Sequence, residues 1–291
     1  MDLRGSPATG TGAPSPPERP DSLRWADEER ELICALGGFA LHLSGGWLVT
    51  HERLPGSRFN FIDIGALNPA RRTAFLERAL DHYFQRALRP VVRLSPRAPE
   101  AIVGSLERLG FRERSTPQLL LTRQLKPLRG PASAGERVRA LTPQELPILY
   151  RLWGGERELP EIRSTIDVAL SAPSPGEEVV PVGSIVEGRL VSVGLLHHWN
   201  GIWGLHAVAT IPGERGNGWA SDLAIQAPVA STDRGDRWLG LRVDSVRVPS
   251  HLETAGFVAQ EQCRIFDLPT DRSLEVPPPG PPQPPRWRPP R

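Results

Sequence analysis

Apolar and polar positions along this chain follow two periods, and the changes between them mark its elements. Short apolar runs at Gly38–Leu43, Trp47–Thr50 and Phe59–Ile64 predict strands. Asn68-Pro69 then supplies an N-cap followed by proline at a first helical position. Phe75, Leu76, Ala79, Leu80, Tyr83 and Phe84 recur at helical spacing, so this helix has one apolar face. It ends at Arg89-Pro90, and Val91–Leu94 reads as the next strand. A helix from Pro99 through Leu109 and a strand at Leu119–Thr122 complete the first half. Small residues from Gly130 to Gly135 have the composition of a linker. Beyond it, Thr142-Pro143 opens a helix carrying Leu146, Leu149 and Leu152. Val179–Val186 and Arg189–Trp199 pair across Glu187-Gly188, and Asn200-Gly201 turns the chain into Ile202–Ile211. Asn-Gly between strand residues is a strong hairpin signal because both turn positions need φ > 0. Three consecutive antiparallel strands follow from it.

The pattern recurs at half the chain length. Ser105-Leu106-Glu107-Arg108-Leu109-Gly110-Phe111 and His251-Leu252-Glu253-Thr254-Ala255-Gly256-Phe257 lie 146 residues apart. Each reads as a last helical turn, a glycine cap and an aromatic packing back, and a strand-like run follows each: Leu119–Thr122 in one, Arg264–Leu268 in the other. This places a duplication in the 291 residues.

Composition narrows the class. Nine prolines crowd residues 271–291 and five lie in residues 1–24, predicting disordered tails at 1–24 and 270–291. The second tail holds Arg272, Arg286, Arg288 and Arg291 against Asp271 and Glu275, which accounts for the net charge of +2. A neutral body argues against nucleic acid as a partner, since phosphate binding needs clustered cations. The proline-arginine tail could at most give weak peptide-motif docking in an aromatic groove. No apolar run approaches the ~18 residues of a membrane span, and the start lacks a signal-peptide core. Cys34 and Cys263 match no redox or metal spacing, and no other His, Cys, Asp or Glu group does, so the expectation is a cytoplasmic protein without a metal.

The chemistry concentrates after Ile202–Ile211, at Pro212-Gly213-Glu214-Arg215-Gly216-Asn217-Gly218-Trp219-Ala220, ahead of a helix at 221–227. A glycine-bearing loop between strand and helix turns free backbone amides and a helix dipole toward an anion. Neither a Walker ending nor the dinucleotide glycine pattern is present.

Arg215-x-x-Gly218-x-Ala220, preceded by Val208-Ala209-Thr210-Ile211-Pro212, resembles the coenzyme A pyrophosphate loop of the GCN5-related N-acetyltransferase superfamily. The downstream strand Trp238–Val243 and the helix ending Gly256-Phe257 come in that family's order, and the resemblance covers about residues 136–269. It implies an α+β (mixed α/β) fold of two tandem acyl-CoA N-acyltransferase-like domains, each a mostly antiparallel sheet flanked by helices. The divisions are 25–128 as a degenerate first copy, 129–136 as linker and 137–269 as the working copy. Position for position, Pro69–Ala74 stands where Arg215–Ala220 stands in the second copy and has no glycine.

The resemblance further implies acetyl-CoA as acyl donor and an amine as acceptor. The backbone of Val208, Ala209 and Thr210 would pair with the pantetheine arm, and the amides of Arg215, Gly216, Asn217, Gly218, Trp219 and Ala220 would hold the pyrophosphate. The family's usual tyrosine acid falls on Leu252, leaving His251 as the candidate acid. His206 is the candidate base, and strict alternation places Gly204, His206, Val208 and Thr210 on one sheet face. Adjacent His197 and His198 point to opposite faces, so at most one reaches a given site. A non-catalytic acyl-CoA-binding or regulatory module is the alternative that Leu252 motivates.

Overall fold

The computed structural model describes residues 18–43, 46–54, 56, 58–65, 72–125, 137–154, 163, 167, 170, 178–227 and 238–269. Most of the two proline-rich ends, the Gly130–Gly135 linker and Asn68-Pro69 lie outside them. Residues 18–24, assigned from sequence to the N-terminal tail, lead into a helix that the apolar pattern did not reveal. This is α1, Ser22–Ala35, capped by the Asp21 side chain accepting from the Arg24 amide.

The first half continues through β1 (Phe39–Leu43), β2 (Gly46–Thr50), β3 (Phe61–Ile64), α2 (Arg72–Phe84) and β4 (Val91–Leu94). A 3₁₀ turn at Glu100–Ile102 then leads into α3 (Val103–Arg108), β5 (Arg112–Glu113) and β6 (Gln118–Gln124). The second half runs β7 (Val138–Ala140), α4 (Leu146–Gly154), β8 (Glu178–Val186), β9 (Arg189–Trp199) and β10 (Ile202–Thr210). After it come α5 (Trp219–Gln226), β11 (Trp238–Asp244), α6 (Ser250–Thr254) and β12 (Val258–Asp267). Both hairpin turns take the backbone their residues demand. Glu187 and Gly188 have φ of 50° and 74°, and Asn200 and Gly201 have 53° and 77°.

One twelve-stranded sheet carries all the described strands, in the order β1-β2-β3-β4-β12-β6-β11-β10-β9-β8-β7, with β5 added beside β12. Pairing is antiparallel except at β3–β4 and β10–β11. Each half therefore contains one parallel pair, bridged by a helix (α2 or α5) and followed by a short helix ending at Gly110 or Gly256, both with φ of 89°.

The halves exchange strands. β6 of the first half lies between β11 and β12, whereas the far end of β12 lies between β4 and β5. Phe266 accordingly packs in the first half's core with Phe75, Leu106 and Phe111. Leu119 and Leu121 of β6 pack in the second half's core with Leu205, Leu223 and Leu241. No helix among the described residues is long and apolar enough to cross a membrane.

Candidate functional site

Two helices from different halves sandwich the β10–β11 pair. Trp203 and Leu205 of β10, with Leu239 and Leu241 of β11, bury against Leu223 and Ala224 of α5. The intervening residues, Gly204 and Gly240, are register partners in the parallel ladder and face α1. A Cβ at Gly240 would stand 2.6 Å from the Trp25 ring, and one at Gly204 would collide with the Glu28 carboxylate. The missing side chains thus let α1 lie close on the sheet and bring its carboxylates to the backbone.

The parallel pairing stops at Leu205–Leu241, although β10 continues to Thr210 and β11 to Asp244. At that point β10 carries a bulge between His206 and Ala209, where Ala207 adopts φ of 51°. Beyond the pairing lies a cavity of about 660 Å³ that reaches both faces of the sheet. Glu29, His206 and Arg242 line its α1 side, and Val208, Ala220, Ser221 and His251 its α5 side. Arg58, Phe61 and Arg93 close it from the first half.

The bulge corrects one expectation from strict alternation. The extra residue reverses side-chain parity, so His206 shares its face with Gly204 but not with Val208 or Thr210. Val208 packs in the α5-side core, and the Thr210 hydroxyl lies 3.1 Å from Ser192 Oγ. Arg58 donates to the Val208 carbonyl at 3.1 Å, and Ser192 to that of Ala209, also at 3.1 Å.

The glycine loop has open amides. Pro212–Glu214 forms a 3₁₀ turn, Gly216 has φ of 86°, and Gly218, at 85°, caps α5. Any other L residue would be strained at either glycine. Among the described residues, no atom beyond the adjoining residues lies within 4 Å of where a Cβ would stand at Gly213, Gly216 or Gly218, which leaves this side of the loop open. Among the described residues, the amides of Gly216, Asn217, Gly218, Trp219 and Ala220 donate to no backbone carbonyl. Side chains brace the loop from behind. Glu214 accepts from Asn217 Nδ2 at 3.2 Å and Trp219 Nε1 at 3.3 Å, and Arg215 Nε donates to the Thr210 carbonyl. The arrangement suits an anion held by main-chain N–H groups and the α5 dipole.

His251 lines the cavity on α6, with Nε2 2.5 Å from Ser221 Oγ in the first turn of α5. Leu252 is buried in the α5-side core. The place where the family resemblance expects a tyrosine is thus filled by packing. His206 enters the cavity from the opposite side of the sheet, so the two candidate histidines share a cavity but not a face.

Sequence reasoning missed the residues that surround His206. Glu28, only 1% exposed, receives His206 Nε2 at 2.8 Å and His197 Nδ1 at 2.8 Å on the same oxygen, and Oε2 lies 3.0 Å from His206. Of the adjacent pair, His197 is therefore the one on this face, but it is fully buried behind the cavity. Burial opposes the Glu28 charge, yet the two imidazoles outweigh it and hold its carboxyl below the ordinary carboxylate range. Burial likewise disfavours imidazolium at His206, but Glu28, with help from Glu29, raises the ring's pKa above its usual value.

Beside this group, Glu29 bridges Arg93 of β4 at 2.9 Å and Arg242 of β11 at 3.0 Å, while Arg93 also meets Asp63 at 2.8 Å. Burial pushes Glu29 up, but the two guanidiniums overcome it and bring the carboxyl down to about 2. The network ties the two halves together across the cavity wall. Glu28, His197 and His206 place possible ligand atoms within 4.8 Å of one another, a grouping hidden by sequence separations of 169 and 178 residues. Their 2.8 Å contacts are hydrogen bonds. An ion bound at ~2.0–2.2 Å to each group would hold these atoms farther apart. The signal available in sequence was Glu28 itself, which follows Trp25 by three residues and precedes Leu32 by four, on the apolar stripe of a helix.

No family model matches the chain, and no curated protein does. Solved structures do. A GCN5-related N-acetyltransferase from Kribbella flavida superposes with a TM-score of 0.58 at 14% identity, covering 84% of this chain and 95% of its own. One from Sphaerobacter thermophilus gives 0.52 at 14% identity, with 76% of each chain covered. A functionally unknown conserved protein from Staphylococcus epidermidis gives 0.53 at 12%, covering 80% of this chain and 95% of its own. The chain has the fold of GCN5-related N-acetyltransferases.

Proposed function

We propose that the protein is an acetyl-CoA-dependent N-acetyltransferase acting on an amine of a small molecule or peptide, with its site in the second half. The observation that carries this reading is the gap where β10 and β11 stop pairing, flanked by a loop whose amides are open and whose glycines are left-handed. The pyrophosphate would lie on the amides of Gly216–Ala220, since the Arg215 amide expected from sequence to join them donates instead to the Pro212 carbonyl at 3.4 Å, and the pantetheine arm would run along Val208–Thr210 into the gap. On this reading residues 137–269 are the working copy and 25–128 a degenerate copy that supplies one cavity wall. The enzyme would work in a reducing compartment such as the cytoplasm.

The two faces of the cavity divide the work. The thioester would arrive from the α5 side, and the amine from the α1 side, where His206 stands. His206 takes a proton from the ammonium, freeing the lone pair that attacks the thioester carbonyl. As the C–N bond forms, the C–S bond breaks and its electron pair stays on sulfur, while the nitrogen gives its second proton to water and becomes a neutral amide. The pair Ser221–His251 then delivers a proton to the thiolate in place of the tyrosine that Leu252 replaces.

The test is release of free thiol from acetyl-CoA across a broad panel of primary amines. Amine-dependent release that His206→Gln abolishes supports the reading. Acetyl-CoA binding without turnover on any amine would favour a non-catalytic acyl-CoA-binding module instead. The Val208 and Ala209 carbonyls, already engaged by Arg58 and Ser192, and the core position of Leu252 are the features that would then explain it.

A further inference from the structure

Glu28 belongs to the first half, yet its carboxylate is buried against the sheet of the second. A carboxylate at 1% exposure is costly unless its lone pairs are taken up, and here two imidazoles take them. The two are not equivalent. His197 is fully buried, and its Nε2 finds no partner among the described residues. His206 keeps 17% side-chain exposure and lines the cavity. Glu28 thus joins a fixed internal anchor to the one imidazole of the group that a ligand can reach. Gly204, opposite His197 in the β9–β10 ladder, leaves the space the carboxylate fills.

We infer that Glu28 is the positioning residue for His206, so that the first half of the chain completes the site of the second. This rests on the transferase reading above. Because a carboxylate only accepts, His206 must carry its proton on Nε2, and Nδ1 is the nitrogen that takes up a proton from the acceptor amine. The same contact fixes the ring's rotation and stabilises the imidazolium formed when the amine is deprotonated. Glu28 itself stays ionised throughout. The charged groups around the ring are Glu28 and Glu29 from α1 and Arg242 from β11, with His197 of β9 at a centroid distance of 6.5 Å. The two carboxylates together prevail over burial and over Arg242, in the direction that favours imidazolium.

The test uses the full chain and the variants Glu28→Gln and Glu28→Asp. Nitrogen NMR of ¹⁵N-histidine protein reads tautomer and titration of His206 without any acceptor. Acetyl-CoA calorimetry and pH-rate profiles on an amine from the panel accompany it. In the unaltered protein His206 should be an Nε2–H tautomer when neutral. Glu28→Gln should lower its titration midpoint by at least ~1 unit and move the alkaline-rising limb of the rate profile down by the same amount. The rate on the amine should fall ~10²-fold or more while acetyl-CoA affinity stays within about twofold, and Glu28→Asp should recover part of the loss. If Glu28→Gln fails to fold, Glu28→Asp and the tautomer of the unaltered protein decide alone. An Nδ1–H tautomer, or a midpoint and rate limb indifferent to residue 28, overturns the inference. Absence of acetyl-CoA binding in the unaltered protein defeats the transferase reading instead, whatever the tautomer.

Discussion

Gly204 and Gly240 stand opposite each other in the β10–β11 ladder, and each is covered by one α1 side chain, Glu28 over the first and Trp25 over the second. The pair explains how a helix from the first half reaches the backbone of the second. Gly240→Ala would drive a methyl group into the Trp25 ring at 2.6 Å. Gly204→Ala would drive one into the Glu28 carboxylate. Overpacking of this kind costs ~1–3 kcal/mol. Urea unfolding should show that loss for both variants, and only Gly204→Ala should also disturb the His206 titration.

Glu29 makes a separate prediction about pH. Its carboxyl, ordinarily at 4.5, is held down to about 2 in the folded chain by Arg93 and Arg242. The resulting stability is fully present above pH 4.5 and is lost as pH falls through the folded value. Glu29→Gln should cost ~3–5 kcal/mol near neutrality, because two buried guanidiniums lose their shared counter-charge. It should also flatten the acid limb of the unfolding curve, which denaturant midpoints measured from about pH 6 down to about pH 2 would reveal.

His206 carries the opposite sign. Its raised pKa adds stability that is complete below the ordinary histidine value of 6.5 and disappears as pH rises through the folded value. Turnover should move the other way, increasing as the ring loses its proton. A pH-rate profile set beside a stability profile should show the two crossing in the alkaline direction, and His206→Gln should remove both trends.

Leu252→Tyr tests whether the family's usual acid can be restored. Leu252 is 3% exposed and packed beneath α6, so a phenol there would overfill the core at a cost of ~1–3 kcal/mol. Thermal unfolding should report the destabilisation, with no gain in thiol release. Ser221→Ala should instead slow release while leaving stability nearly unchanged, since among the described residues its hydroxyl bonds only the exposed His251.

Most strands of both halves were legible because buried strands read as short apolar runs and their turns use residues suited to φ > 0, as at Asn200-Gly201. The glycine loop was legible for the same reason. α1 was not, because two glutamates interrupt its apolar stripe, and the compensating histidines lie far along the chain. The bulge at Ala207 carried no glycine or asparagine to announce its left-handed backbone. The exchange of β6 and β12 between halves depends on pairing across more than a hundred residues, which no local period encodes. What escaped the sequence is thus the set of contacts between the halves, and these surround His206.

The most direct measurement is calorimetric titration of acetyl-CoA into the full chain and into Gly216→Ala/Gly218→Ala. Alanine at those left-handed positions is strained by ~1–2 kcal/mol per residue. Relief of that strain would turn the amides away from the pyrophosphate. The expected result is saturable binding by the unaltered protein and at least ~10-fold weaker binding by the variant, a loss of ~1.4 kcal/mol or more. No binding by the unaltered protein, or equal binding by both, would contradict the assignment of this loop as the coenzyme site.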